Sequence, residues 1–570
     1  MIRRLQLIKK PSIDFSQKKL TKLFFKHPTK NVETTDAFYN SVASFFFPTE
    51  CLLKVFHYLE NDIVSLHSCL LVNRLWCKAA VHFLWAEPFA HDPISISIVT
   101  VLLSCLENSK KLKLETILQR VPEIQSKPIF QYDKLIKQIS ISYFYCAVKK
   151  WVEHTQKLKS SYAITIGNSM SRGPLKRASR ESINKMMIKS VFHILCQLLF
   201  TPETSIQSLS FNYVGENTAP AYNMFLDKEF NHNMNFNHIR HLYIDIILEC
   251  TIFPRLLNFI ISVESLELCH THNWPLSDFS HIDEGFSKFM ANQKNLKDFR
   301  LLASHKFPSE TLSSFATRAD SLVSVEICGI NFPKMYSAEP TLEGLALCKN
   351  LEDLAMVHCV SLSERDLMPL RNASFPRLRR IKFVACFMGY DHVMVNLIKN
   401  NPTHLQEIYY IRQMTTCIPV TQESKSNSDL SIIEAVSRYS PQVIVLGVPL
   451  TVDQIPCLVE ILTSPKCQIR SLSICEGESN SISIAVNEIW PTLGRTMPKT
   501  LLHLNIWTQI NNTAMKRFFH NMKYRDRLKT LYIKQWAKRI DDGSVPDALR
   551  EYFRDKIRSS EASKFFRHVI

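Results

Sequence analysis

Glycine is the residue that this sequence most clearly lacks. The chain has 11 glycines among 570 residues, about 2% where globular proteins usually have ~7%. No two glycines have the G-x-G spacing of a dinucleotide fold, and no stretch matches the P-loop or the G-x-S-x-G turn of α/β-hydrolases. Those motifs need glycine because only glycine lets backbone amides approach a phosphate or turn so sharply. The sequence therefore argues against three large classes of enzyme.

Metal-binding and membrane-spanning patterns are also missing. The sixteen cysteines include no C-x-x-C pair and no accompanying H-x-x-x-H set, so we expect no metal site and no cofactor. Many cysteines lie in apolar runs, as buried free thiols of a reducing compartment do, which predicts a cytoplasmic or nuclear location. The longest mostly apolar stretch, residues 94–106, is shorter than the ~20 residues that span a bilayer, so no membrane segment is expected.

Acidic residues are scarce mainly at the two ends of the chain. Lys and Arg number 69 against 52 Asp and Glu, a net charge of +17. Residues 1–30 hold nine basic side chains and one acid, and residues 511–570 hold fifteen basic and seven acidic. The nearly neutral body disfavours a nucleic-acid-binding face. We expect a flexible basic segment at 1–46, with a mitochondrial presequence as the alternative, and a basic helical cap at 536–570.

Residues 47–89 have the pattern of three short helices. An apolar stripe follows Pro48, and Asp62 and Asn73 stand where they would cap the second and third helix. About forty residues cannot bury so many large apolar side chains among themselves, since domains below ~40 residues usually need a staple or a partner. The excess apolar surface predicts a protein partner.

These residues, FPTECLLKVFHYLENDIVSLHSCLLVNRLWCKAAVHFLWAEPF, resemble the F-box. The proline, the Leu-Val-Asn step and two tryptophans fall at family positions, and Phe47 departs from the usual leucine. The resemblance implies docking onto the small adaptor of an SCF-type ubiquitin ligase and, through it, onto cullin and RING subunits. The residues that match the family's adaptor-facing positions are Pro48, Leu52, Leu53, Phe56, Leu59, Val72 and Trp76. The alternative is a helical cap whose apolar side chains all belong to its core.

The rest of the chain repeats a six-residue template, apolar-x-x-apolar-x-apolar. Thirteen matches fall between residues 136 and 533, and from Leu209 onward their centres lie 24 to 38 residues apart. Most spacings are near the 20–29-residue period of leucine-rich repeats. Cys359 and Cys386 stand where that family turns the chain on a buried Asn or Cys. The region resembles cysteine-containing leucine-rich repeats, which implies an α/β solenoid with a parallel sheet on the concave face and helices outside. A helical solenoid is the alternative.

The predicted organisation is therefore a series of five segments. They are the basic segment 1–46, the F-box 47–89, a helical linker or first degenerate repeats at 90–205, leucine-rich repeats at 206–535, and the cap 536–570. Residues 159–185 are polar, lack periodicity and hold two of the eleven glycines, so we expect an exposed loop there.

The fifth template position is the predicted binding row. In such a repeat the first, fourth and sixth residues face the core, while the fifth faces outward on the concave sheet. Charges of both signs and three tyrosines occupy this row, and tyrosine and arginine are common anchors of interfaces. We expect the row to bind a segment of a target protein. The candidates are Tyr243, Glu267, Arg300, Glu326, Lys382, Tyr409 and Tyr532.

The sequence presents no catalytic centre. His57 and His67 have no acidic partner at catalytic spacing, so the chain is predicted not to be an enzyme. We expect a substrate-recognition subunit of an SCF-type E3 ubiquitin ligase, which brings a target protein close to the transferring subunits. Two alternatives stay open: a leucine-rich-repeat scaffold outside any ligase, and nucleic-acid association through the basic ends, which would be steeply salt-dependent.

Overall fold

The structure is a computed structural model that describes residues 48–533 apart from several gaps. The gaps are 61, 91–95, 119–127, 166–173, 228–233, 246–254, 257–258, 271–278, 304–308, 333–341, 361, 363, 387–390, 402–403, 413–429, 477–485 and 509. The segments predicted at 1–46 and 536–570 lie outside the described residues. The chain divides into two compact units, Met1–Val263 and Glu264–Ile570, which are described in turn.

The first unit begins with the three predicted helices. They are α1 (Thr49–Tyr58), α2 (Ile63–Cys69) and α3 (Arg74–Leu84). Asp62 Oδ1 accepts a hydrogen bond from the Ser65 amide at 3.0 Å, and Asn73 Oδ1 accepts one from the Trp76 amide at 2.9 Å. These bonds satisfy amides that a helix start leaves without a partner, so both predicted caps are confirmed.

Helices and three parallel strands make up the rest of the first unit. They are α4 (Ile96–Ser104), α5 (Asn108–Leu118), β1 (Gln138–Ser140), α6 (Ile141–Thr165), α7 (Pro174–Leu199), β2 (Ser208–Phe211), α8 (Thr218–Phe225) and β3 (His241–Asp245). The strands pair in chain order, with Ile139 opposite Leu209 and Leu209 opposite Leu242.

The loop predicted at residues 159–185 is not what the structure shows. Helix α6 continues to Thr165 and helix α7 begins at Pro174, so only 166–173 separate them, and those residues lie outside the described part. Pro174 occupies the first helical position, where its missing N–H costs nothing. The Leu, Lys, Arg, Ala and Glu that follow are good helix formers. The sequence prediction relied on apolar periodicity, which this segment lacks. The helix propensity of its residues would have indicated the helix.

The second unit alternates ten parallel strands with helices. Its elements are β4 (Ser265–His270), α9 (Phe279–Asn292), β5 (Asp298–Ala303), α10 (Ser309–Ser313), β6 (Ser324–Cys328), α11 (Glu343–Ala346), β7 (Asp353–Val357), α12 (Glu364–Asn372), β8 (Arg380–Cys386), α13 (Asp391–Asn400), β9 (Glu407–Arg412), α14 (Ile432–Tyr439), β10 (Val445–Leu450), α15 (Ile455–Thr463), β11 (Ser471–Glu476), α16 (Val486–Thr496), β12 (His503–Ile506), α17 (Asn512–Asn521) and β13 (Thr530–Ile533). Each strand pairs with its neighbours in the sequence.

The first, fourth and sixth template residues form a continuous part of the core. In all thirteen matches these side chains are at most 2% exposed. Strands rather than helices carry the template, which decides for the leucine-rich-repeat solenoid and against the helical one. Burial of this stripe is the main stabilising contribution, at about 25 cal/mol per Å² of apolar surface.

A shared backbone hydrogen bond links each strand to the one before it. The amides of template positions 2 and 3 both donate to the position-2 carbonyl of the preceding repeat, as Lys297 and Asp298 do to Glu264. The bond recurs from β4 to β13, with N···O distances of 2.7 to 3.2 Å. It fixes the register, so equivalent template positions of neighbouring repeats lie side by side.

The predicted cysteine turn is present at Cys359. This side chain is fully buried, and its Sγ donates to the Ile327 carbonyl of the preceding repeat at 3.5 Å. Ile330, at the equivalent position one repeat earlier, is buried as well but has no hydrogen-bonding group. The Cys386 side chain lies outside the described part.

Two of the rare glycines stand where helices of adjacent repeats touch. A Cβ on Gly494 of α16 would lie 2.3 Å from the Phe518 carbonyl oxygen of α17. A Cβ on Gly344 of α11 would lie 2.9 Å from backbone atoms of Leu312 and Ala316. Backbone cannot retreat as a side-chain tip can, so both positions require the missing Cβ.

We therefore expect Gly494→Ala to destabilise the protein. Overpacking a close contact costs roughly 1–3 kcal/mol, which exceeds the ~1 kcal/mol that alanine gains over glycine in a helix. Urea unfolding followed by circular dichroism measures the change. Arg495→Ala, an exposed substitution next to it, should change the free energy of unfolding by less than about 0.5 kcal/mol. Equal stability of Gly494→Ala and wild type would contradict the close contact.

Candidate protein-binding surfaces

Two of the predicted adaptor-facing residues lie inside the F-box module. Leu52 and Phe56 are at most 1% exposed. The Phe56 ring packs edge-on against Trp76, with ring centroids 5.4 Å apart, and against Phe83 at 6.2 Å. Phe56 therefore packs α1 against α3, and any effect that these two buried residues have on a partner would pass through the fold of the module.

The other predicted adaptor-facing residues reach the surface. Pro48, Leu53 and Val72 are exposed, the last two by 37% and 57%. Leu59 and Trp76 are half-buried. The sequence alone could not tell which of the seven residues are buried and which are exposed. The apolar pattern is the same for side chains that face the core of the module and for those at its edge. Their contact with an adaptor stays a prediction.

Exposed apolar side chains concentrate in this module. Fourteen large apolar side chains of the described residues are exposed. Six of them lie in the twenty residues 53–72 of the F-box region. Soluble proteins rarely leave such patches open without a use for them. The six are Leu53, Val55, Tyr58, Val64, Leu71 and Val72.

The module is attached to β1 by the same shared bond that links the repeats. The amides of Lys137 and Gln138 both donate to the Ala86 carbonyl, at 2.9 and 3.0 Å. The Trp85 ring lies 4.3 Å from Tyr132 and the Phe89 ring 4.9 Å from Phe144, centroid to centroid. The end of the F-box region thus takes the place of a repeat preceding β1.

The fifth template positions of the second unit form one continuous row, which we call the central row. Strand pairing places each member directly opposite the next. The pairing register thus aligns the fifth positions in this unit, and their role in binding stays a prediction. Its members, from β4 to β13, are Glu267, Arg300, Glu326, Ala355, Lys382, Tyr409, Gly447, Ser473, Asn505 and Tyr532.

Three predicted binding residues bind one another at the start of the central row. Arg300 lies between two carboxylates, with its Nη1 3.2 Å from Glu267 Oε2 and its Nε 2.7 Å from Glu326 Oε2. The side chains are 30 to 51% exposed, so each pair contributes about 0.2–1 kcal/mol. The charges at these three consecutive fifth positions alternate in sign, and this alternation in the sequence indicated that the side chains could form ion pairs with one another.

Tyr409 is internal rather than displayed. Its ring lies over Gly447, where a Cβ would come within 3.1 Å of the ring, and the residue is 6% exposed. Its hydroxyl is 2.5 Å from Ser473 Oγ, and Asn505 Nδ2 donates to the same Oγ at 2.9 Å. Burial raises the pKa of Tyr409 to about 12. The neighbouring glycine in the same row was the sequence signal for this packing.

The remaining candidates are partly accessible. In the first unit, Tyr243 is half-buried and pairs with Ser210 across β2 and β3. In the second unit, Lys382 and Tyr532 are half-buried, and the Tyr532 ring lies 5.1 Å from Trp507. Target binding by these residues stays a prediction.

The described residues hold no group of three or more His, Cys, Asp or Glu side chains placed to bind a metal ion. Within the same part of the chain, no helix combines the length and the apolar character that crossing a bilayer requires.

We expect Tyr409→Phe to lower the free energy of unfolding by about 1 kcal/mol, because it removes a buried hydrogen bond while keeping the ring over Gly447. Urea unfolding measures this. Tyr524→Phe, which removes the hydroxyl of an exposed tyrosine, is the matched control and should leave the midpoint unchanged. Equal midpoints for both variants would mean that the Tyr409 hydroxyl contributes nothing.

Comparison with known proteins finds a matching family model and similar solved structures. The family model for F-box-like domains matches residues 47–91. No curated protein matches the chain. One solved structure is titled "Crystal structure of Rad7 and Elc1 complex in yeast". It is 13% identical to this chain, and the alignment covers 67% of this chain and 76% of that one. Its TM-score of 0.29 is too low to establish a shared fold. Residues 47–91 are thus an F-box-like domain, joined to a leucine-rich-repeat solenoid.

Proposed function

We propose that this chain is the substrate-recognition subunit of an SCF-type E3 ubiquitin ligase. The F-box-like domain docks the adaptor, which connects the chain to cullin and RING subunits, and the repeat surface holds a target protein. The observation that carries the proposal is the concentration of exposed apolar side chains in a domain of this family.

The apolar surface of the module supports a docking role on energetic grounds. Complete burial of a leucine or valine side chain contributes about 1.5–3 kcal/mol, so several half-exposed ones supply a useful driving force. Leu71 and Val72 lie in the turn between α2 and α3, and Val55 and Tyr58 share one side of α1 at a spacing of three residues.

The ligase mechanism would be proximity alone. Other subunits transfer the ubiquitin, and this chain raises the effective concentration of a target lysine near them. No side chain of this chain needs to take part in the chemistry, in keeping with the prediction that it is not an enzyme.

The competing function is a scaffold in which the helical module only caps the sheet. The bonds from Lys137 and Gln138 to Ala86 suit a cap. A terminal cap, however, requires a polar outer face, and this module leaves Tyr58 88% and Val64 58% exposed. The apolar outer face therefore favours docking over simple capping.

We expect the double variant Leu53→Glu, Val72→Glu to lose the adaptor. Two carboxylates in an apolar interface would have to be desolvated without partners, which weakens binding by at least about a hundredfold. The test is co-expression of the full chain with an SCF adaptor subunit, followed by size-exclusion chromatography. Wild type should elute with the adaptor as a one-to-one complex.

The matched control is Met368→Glu, which places one carboxylate on an exposed apolar residue of the repeats and should keep the adaptor. Phe56→Ala does not serve here, because removal of a buried ring costs roughly 3–5 kcal/mol and unfolds the module first. If the wild-type chain, soluble and folded, elutes without adaptor, the chain is a scaffold.

A further inference from the structure

The second template positions form a second row in the second unit, along the entry edge of the sheet. The shared backbone bonds place each member beside the next, with a strand spacing of about 4.8 Å. We call this row the edge row. From β4 to β13 its members are Glu264, Lys297, Val323, Glu352, Arg379, Gln406, Ile444, Arg470, Leu502 and Lys529.

The first half of the edge row neutralises its own cations. Lys297 Nζ lies 2.9 Å from Glu264 Oε2, and Arg379 Nε lies 3.5 Å from Glu352 Oε2. Beside it, Arg380 at position 3 of β8 is held by the Asp353 carboxylate, whose hydrogen bonds raise the pKa of that guanidinium. In this half of the edge row, each of these cations is therefore paired with a carboxylate of a neighbouring repeat.

The second half of the edge row provides cations alone. Arg470 and Lys529 are exposed, and neither contacts a carboxylate among the described side chains. Two further exposed cations stand on the turns before β12 and β13, where Arg527 Nη1 donates to the Lys499 carbonyl at 3.1 Å. We call Arg470, Lys499, Arg527 and Lys529 the basic edge.

The composition around the basic edge has the same bias. Residues 491–533 contain eight Lys and Arg and one acid, Asp526. Lys499, Arg527 and Lys529 of the basic edge are among these eight, and since like charges repel, such a cluster of cations gains from an anionic partner.

Hydrogen-bonding groups without charge lie next to the basic edge. Ser471 is 5% exposed, and its Oγ has no hydrogen-bond partner among the described residues. His503, opposite Ser471 on β12, has its Nδ1 2.8 Å from Thr530 Oγ1. Burial and the nearby Lys529 lower the pKa of His503.

We infer that the basic edge binds an acidic segment of the target protein, one that presents several carboxylates in sequence. The inference rests on the proposed function for the assumption that the repeats hold a target. Arg470 and Lys529 are two strands apart, about 10 Å, which suits carboxylates spaced along one short peptide. Glu407, two strands before Ser471, limits the anionic length that the face accepts and disfavours a nucleic-acid backbone.

The test uses fluorescein-labelled decaglutamate and the full chain, with binding followed by fluorescence anisotropy. Arg470→Ala, Lys529→Ala should bind at least about tenfold more weakly than wild type. The matched control is Lys297→Ala, Arg379→Ala, which removes the same charge from the same row but at sites already paired, and should change affinity less than about twofold. Wild-type affinity should fall as salt rises, because exposed charges are screened.

Three results would overturn the inference: no binding of decaglutamate by wild type, equal weakening in both double variants, or tighter binding of a labelled oligothymidylate that the Arg470→Ala, Lys529→Ala variant loses. Adaptor co-elution of the same variants is measured in parallel. It should be unchanged, so a failure of the basic edge and a failure of the F-box role are distinguishable.

Discussion

The shared backbone bond at the entry to each strand is the constraint on which the surfaces depend. Two successive amides donate to one carbonyl of the preceding repeat, and in the second unit this bond recurs at each strand from β5 to β13. Because side chains alternate between the faces of a strand, a slip by one residue would exchange core and surface. The fixed register therefore sends template positions 4 and 6 inward in every repeat and aligns positions 2 and 5 into rows. Ala86 provides the same carbonyl for β1, so the F-box-like domain begins the first sheet in the same manner.

Because the rows are aligned, side chains at the same template position of neighbouring repeats contact one another. In the central row this produces an ion-paired stretch around Arg300 and an uncharged hydrogen-bonded stretch around Tyr409. In the edge row it produces ion pairs first and then, at Arg470 and Lys529, cations that contact no carboxylate among the described side chains. One sheet face thus contains regions of different chemistry, although its backbone repeats without change. The F-box-like domain adds an apolar surface, so adaptor and target would contact surfaces of different character.

The sequence predicted the core of the repeats better than their surface. The buried template residues were readable because burial allows only apolar side chains at fixed spacing. The helix caps at Asp62 and Asn73 were readable because a local hydrogen bond decides them. Helix α7 was missed because its first turns carry no apolar stripe. The burial of Tyr409, on the face opposite to positions 4 and 6, depends on Gly447, 38 residues later, and the pairing register brings the two together. The fold could therefore be predicted from the residue type at each template position. The exposure of the binding candidates could not, because it depends on residues that are distant in the sequence and adjacent in space.

Separation of core and surface within one six-residue template has a consequence for evolutionary change. Substitutions at positions 2 and 5 alter the surface at one step of about 4.8 Å and leave the buried stripe intact. Where the side chain at these positions is exposed, as at Arg470 and Lys529, a repeat can therefore change its recognition chemistry without a large loss of stability; buried members of the rows, such as Tyr409 and Asn505, are exceptions. Exchanging Arg470 or Lys529 for an acid would redirect the edge toward a different partner. Glycine has no such freedom at positions 344 and 494, where backbone meets backbone. A lineage of such chains could thus acquire new targets while these two glycines stay the same.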